Sequence, residues 1–127
     1  MNKEVIEKLI DFARTAADNA YCPYSEVPEG ASLLTFDNII FSGCNVELSS
    51  RRVSAGEVAI LKASSDGKNS FVTLCLWAES ITPIPSGALL DIAAEFNIQN
   101  FIVATGESYA IYKLHELLPI RRITEGA

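Results

Sequence analysis

The chain has 127 residues, 49 % of them hydrophobic and 20 % charged, with a net charge of −6. That length and apolar content suit a single domain, residues 1–127, built on one core, and exclude an intrinsically disordered chain. The acidic balance excludes nucleic acid as a general partner, because binding a phosphate backbone requires a basic face.

From the N-terminus, Val5, Ile6, Leu9, Ile10, Phe12, Ala13, Ala16, Ala17 and Ala20 recur at the period of an amphipathic helix. The charges within "MNKEVIEKLIDFARTAADNA" do not suit a secretory signal. No run of about 18 apolar residues occurs anywhere, so no membrane span is expected, and the cytoplasm is the expected location. "CPYSEVPEGAS", residues 22–32, reads as a loop rich in Pro, Gly and Ser. "SLLTF" and "IIFSGCNVE" read as a β-hairpin turning at Asp37–Asn38. A second helix is expected in "SAGEVAILKASSDGK", where Ser54 and Glu57 form a capping-box pattern and Gly67 supplies a stop. "SFVTLCLWAES" has the continuous apolar character of a strand buried on both faces. A third helix follows from Ser86 in "PSGALLDIAAEFN", then a buried strand in "NFIVATG". "SYAIYKLHELLP" closes with a short strand and a short helix. This order predicts a parallel strand pair joined by a crossover helix.

Metal-binding signals are sparse. Cys22, Cys44 and Cys75 lack zinc-knuckle spacing, and an odd count without a secretory context points to reduced thiols. His115 has no strong ligand near it and reads as a surface residue of the last helix. The basic pairs Arg51–Arg52 and Arg121–Arg122 are local features, suited to a site or a subunit contact.

Taken together, five stretches resemble the cytidine deaminase family. "YCPYSEVPEGASLL" is similar to the family's "PYSxFPVGAAL" loop, and "IFSGCNVE" to its "GxNVEN" strand. "GEVAILKA" resembles the helix following "CAE", "IPSGALLDIAAEF" the helix of "SPCGxCRQVLxEF", and "LHELLP" the C-terminal "LxxLLP". The resemblance covers nearly the whole chain in the family's order. It implies an α/β fold of three layers, α/β/α, with a mixed five-stranded sheet flanked by helices. It also implies a homo-oligomer, dimer or tetramer, with Leu117–Leu118 and Ile120 offering an apolar patch, or assembly with an active paralogue.

The same resemblance exposes departures. The family holds zinc with three cysteines, and a zinc-bound water attacks the base while a glutamate moves protons. The matching positions here are Ala55, Ser86 and Leu89, so no metal or other cofactor is expected. Val58 stands where an arginine commonly follows the glutamate. Glu57 survives as a retained acid/base or as the cap partner of Ser54. Asn45 and Glu47 match the residues that hold ribose hydroxyls, although both are also ordinary polar residues for a loop. Val27 replaces an aromatic of the nucleoside pocket, Ile120 replaces another, and Arg51 and Arg52 fill a stretch that is usually small or aromatic. With zinc and thiolates gone, the helix N-termini near Ser54 and Ser86 are expected to attract an anion. That anion is Glu57 itself, or a small external one aided by Arg51 or Arg52. The expected function is a zinc-less, deaminase-like protein that binds a nucleoside or small anion. The alternative is an active nucleoside deaminase with an unusual metal site.

Overall fold

A computed structural model describes residues 1–118. The expected sites at Ile120 and Arg121–Arg122, and the end of the expected domain, lie outside the described residues. The elements in order are α1 (Lys3–Ala17), β1 (Glu29–Thr35), β2 (Ile40–Cys44), β3 (Val46–Glu47), β4 (Arg52–Val53) and α2 (Ala55–Ser65). They are followed by β5 (Phe71–Ala78), α3 (Gly87–Glu95), β6 (Asn100–Ala104), β7 (Tyr109–Lys113) and α4 (Leu114–Leu117). Among the described residues no helix is long and apolar enough to cross a membrane.

The main sheet has five strands in the order β2-β1-β5-β6-β7. It is mixed: β5 and β6 run parallel, and the other pairs are antiparallel. The parallel pair is the one predicted from the order strand, helix, strand, because a parallel return needs a crossover and α3 supplies it. Strand alternation then sorts β5 between two cores. Leu74 and Leu76 pack with Ala59, Ile60 and Leu89 beneath α2 and α3, whereas Cys75 and Trp77 pack with Ile6, Leu9 and Ala13 of α1. This is why "FVTLCLWA" is apolar throughout, and why the fold has three layers. Burial also pushes the Cys75 thiol up to about 12, against a weaker downward pull from the Ser32 hydroxyl.

α1 and β1 approach so closely that a Cβ on Gly30 would lie 1.7 Å from the Ala13 carbonyl oxygen. Only glycine fits there. α2 ends as predicted: Gly67 takes φ +88°, and Lys68 N–H donates to the Ala63 carbonyl at 2.9 Å. α3 uses Asn97 at φ +54° in the same way, with Ile98 N–H donating to the Ala93 carbonyl.

Two expectations need correction. The hairpin connection is longer than Asp37–Asn38, because Phe36 and Ile39 also leave the ladder while the Thr35 hydroxyl accepts from Ile39 N–H. The predicted strand "IIFSGCNVE" breaks at Asn45. There the chain leaves the sheet, its N–H donating to the Glu29 carbonyl, and continues into a separate two-stranded ladder of β3 with β4. Leu117 and Leu118, expected in a subunit patch, are half-buried beside their own core, where α4 packs on α3.

Candidate functional site

The break at Asn45 positions the site. Leaving the sheet edge, the chain places Asn45 and Glu47 beside the loop 21–28, which is held by backbone bonds from Tyr21 N–H to the Asn45 carbonyl and from Glu47 N–H to the Tyr21 carbonyl. Asn45 is 6 % exposed, and its side chain clamps that loop. Its Oδ1 accepts from Glu29 N–H at 2.9 Å, and its Nδ2 donates to the Val27 carbonyl at 3.0 Å. One amide hydrogen and one lone pair remain for a ligand. Glu47 is 5 % exposed, and its Oε1 accepts from the N–H groups of Tyr24 and Ser25 at 3.0 and 2.9 Å. The Ser25 hydroxyl, then the Ser25 and Tyr24 N–H groups, hold its carboxyl below the usual carboxylate range, aided by Arg52 and opposed by burial. Glu47 is therefore an anion at neutral pH.

Across the cavity stand the two helix N-termini. At α2 the capping box is formed in both directions: Ser54 Oγ accepts from Glu57 N–H at 3.3 Å, and Glu57 Oε2 accepts from Ser54 N–H at 3.0 Å. Oε2 also accepts from the Ser54 hydroxyl at 2.7 Å. No hydrogen bond among the described residues uses Glu57 Oε1, yet no side-chain oxygen there is both buried and unpartnered. Oε1 is therefore accessible, and the space Glu57 borders is the cavity. At α3 the Ser86 hydroxyl caps the helix, accepting from Leu89 N–H at 3.1 Å.

The cavity measures about 320 Å³. It brings together Asn45, Glu47, Arg52, Ala55, Glu57, Ser86 and Leu89 from the sequence-predicted set. Val27 and Arg51 are not among the residues that line it: the Val27 carbonyl accepts from Asn45 Nδ2, and Arg51 stands at the turn between β3 and β4, where its carbonyl accepts from Leu48 N–H. Arg52 does line it, and its guanidinium lies 5.1 Å from the centre of the Tyr24 ring, within cation–π range. His115 is exposed on α4, as expected.

Sequence reasoning missed Glu29 and the rim residues Pro83, Ile84 and Pro85, all of which line the cavity. The signal for Glu29 was present: it begins an otherwise apolar strand, at the position of valine in the motif "PYSxFPVGAAL". Burial, then the charge of Glu47, pushes its carboxyl above the usual range. No signal marked residues 83–85, which reach the site only because the β5–α3 connection folds over it.

A mixed five-strand sheet between α1 on one face and α2 and α3 on the other, with a cavity under two helix N-termini, is the cytidine deaminase fold. The crystal structure of cytidine deaminase from Burkholderia pseudomallei matches with a TM-score of 0.83 and 28 % identity, covering 94 % of this chain and 98 % of that one. A cytidine deaminase of Sporosarcina psychrophila is 43 % identical over 94 residues, which is 72 % of this chain and 69 % of the relative. A probable cytidine deaminase of Dictyostelium discoideum is 37 % identical over 126 residues, covering 94 % and 84 % of the two chains. No family model matches the chain. The chain belongs to the cytidine deaminase family.

The zinc that the resemblance implies would sit between residues 55, 86 and 89. Ala55 offers a methyl group at 2 % exposure, and Leu89 an isobutyl group at 1 %. The Ser86 hydroxyl is taken by its own helix. A Cβ added at Gly56 would come within 2.8 and 2.9 Å of the two Leu89 Cδ atoms, so Leu89 fills the space against α2. Among the described residues no three His, Cys, Asp or Glu side chains are grouped to hold a metal. The residues at these positions do not fit zinc, which takes thiolate, imidazole or carboxylate ligands.

Proposed function

We propose that this chain is a member of the cytidine deaminase family that binds a nucleoside and has lost zinc-dependent deamination. The observation that carries this reading is the contrast within one cavity. Asn45 and Glu47, read here as the sugar-binding pair, are braced by backbone hydrogen bonds, while Leu89, read here as standing at a metal position, packs against Gly56. Glu47 can accept from a pair of sugar hydroxyls, and the free N–H and lone pair of Asn45 can bond a third group. Binding here needs no metal. Of the ligands the sequence suggested, a small external anion is the poorer fit. Glu57 already occupies the N-terminus of α2, and among the described residues that line the cavity Arg52 is the one cation beside Glu29, Glu47 and Glu57. We further read the chain as a single cytoplasmic domain that assembles with copies of itself, as a dimer or tetramer, or with an active paralogue.

Zinc per chain, measured on protein purified without chelator or affinity-tag metal, and cytidine deamination on the same sample test the loss of activity. The expected result is near-zero zinc and no turnover. One zinc per chain with turnover overturns the reading in favour of an active deaminase with an unusual metal site, in which the open Oε1 of Glu57 would be the proton carrier. Nucleoside binding is tested by thermal stabilisation with cytidine, since a ligand of the native state raises its apparent stability. Glu47→Ala is expected to abolish the shift, and an unchanged shift would exclude this mode of binding.

A further inference from the structure

Glu29 is the feature of the cavity that the family pattern does not explain. It lines the cavity and is half-buried, and no hydrogen bond or ion pair among the described residues reaches its carboxylate. The other two carboxylates of the cavity are provided for: Glu47 by backbone N–H groups, and Glu57 by Ser54 and the end of α2. The position of Glu29 is fixed. Its N–H donates to Asn45 Oδ1 and its carbonyl accepts from Asn45 N–H, so Asn45 itself holds the backbone that carries this carboxylate. The side chain cannot turn to the opposite face of β1, because that is the face on which Gly30 meets α1. Glu57, only 5 % exposed, lines the same cavity, and no hydrogen bond among the described residues uses its Oε1. An unpaired carboxylate in a cavity is costly unless a ligand completes it.

We infer that Glu29 is a specificity residue that selects a nucleoside-like ligand carrying an amino group, positively charged at neutral pH, on or near its sugar. This rests on the nucleoside-binding reading above. The ammonium group would donate to the Glu29 carboxylate while the remaining sugar hydroxyls face Glu47 and Asn45. In the wider family the valine at this position has nothing to offer such a group.

Isothermal titration of the full chain with cytidine, 3′-amino-3′-deoxycytidine and 5′-amino-5′-deoxycytidine tests this. Wild-type protein is expected to bind at least one amino compound about tenfold more tightly than cytidine, the scale of one charge-assisted hydrogen bond. Glu29→Gln, which keeps the shape and removes the charge, is expected to reduce that preference to less than about twofold. Glu29→Val guards against an effect peculiar to the amide. Lowering the pH should erase the wild-type preference as Glu29 takes up a proton. Equal affinities in the wild type, or a preference that survives in both variants, overturn the role of Glu29 and leave nucleoside binding standing. No binding of any of the three compounds overturns both readings.

Discussion

A Cβ on Gly56 would meet both Leu89 Cδ atoms within 2.9 Å, and Leu89 is too deeply buried to swing away. In an open helix Gly→Ala gains about 1 kcal/mol. Here Gly56→Ala is expected to destabilise by about 1–3 kcal/mol through overpacking. In a Leu89→Ala background the cost of the same substitution should fall sharply, because only the Leu76 Cδ2 contact at 3.2 Å remains. Urea denaturation of the two single variants and the double variant measures this coupling. Residue identities were legible in the sequence at this scale, since Ala55, Ser86 and Leu89 are read without coordinates. The reason Gly56 accompanies Leu89 was not legible, because it depends on a distance across two helices. The same holds for Arg51 and Arg52, adjacent in sequence, of which only the second turns into the cavity.

At the level of elements, α2 and α3 deliver positions 55, 86 and 89 to one place because each helix begins with a serine cap. Ser54 and Ser86 fix the first turn, and the first turn aims the side chains. Restoring the ligands together, as Ala55→Cys, Ser86→Cys and Leu89→Cys, is therefore expected to give a chain that binds one zinc, read by metal content after dialysis. Failure of a folded triple variant to bind zinc would mean that these positions are not the family's ligand positions. The helices themselves were readable from caps and period, since a capping box and a Gly or Asn stop act within a few residues. The strand "IIFSGCNVE" was misread as continuous for the opposite reason. Its residues favour extension throughout, and only the partners available to Asn45, namely Glu29 and Val27, divert the chain from the sheet.

Across the whole molecule, the cavity sets an opposition between two acids that shows in the pH dependence of stability. Glu47 has a folded pKa below its unfolded value, so its contribution is present above the ordinary carboxylate range and is lost as pH falls through the lowered folded value. Glu29 has a folded pKa above its unfolded value, so the folded state favours its protonated form, and stability declines as pH rises through that window. Without ligand, Glu29→Gln is therefore expected to stabilise the chain at pH 7, with the gain vanishing as pH falls below the carboxylate range. Denaturation midpoints of both proteins from pH 3 to pH 7 would show the two curves meeting, and parallel curves would mean that the Glu29 carboxyl is not perturbed. The sequence by itself determined the order of the main helices and sheet strands, the three-layer class and which side chains stand at positions 55, 86 and 89. Period, caps and residue chemistry are local and survive without coordinates. Only the tertiary structure decided that Glu29 stands near Glu47 with no partner for its carboxylate among the described residues, that Arg52 lines the cavity, and that residues 83–85 line it too. Each of those depends on which segments, distant in the chain, fold against one another.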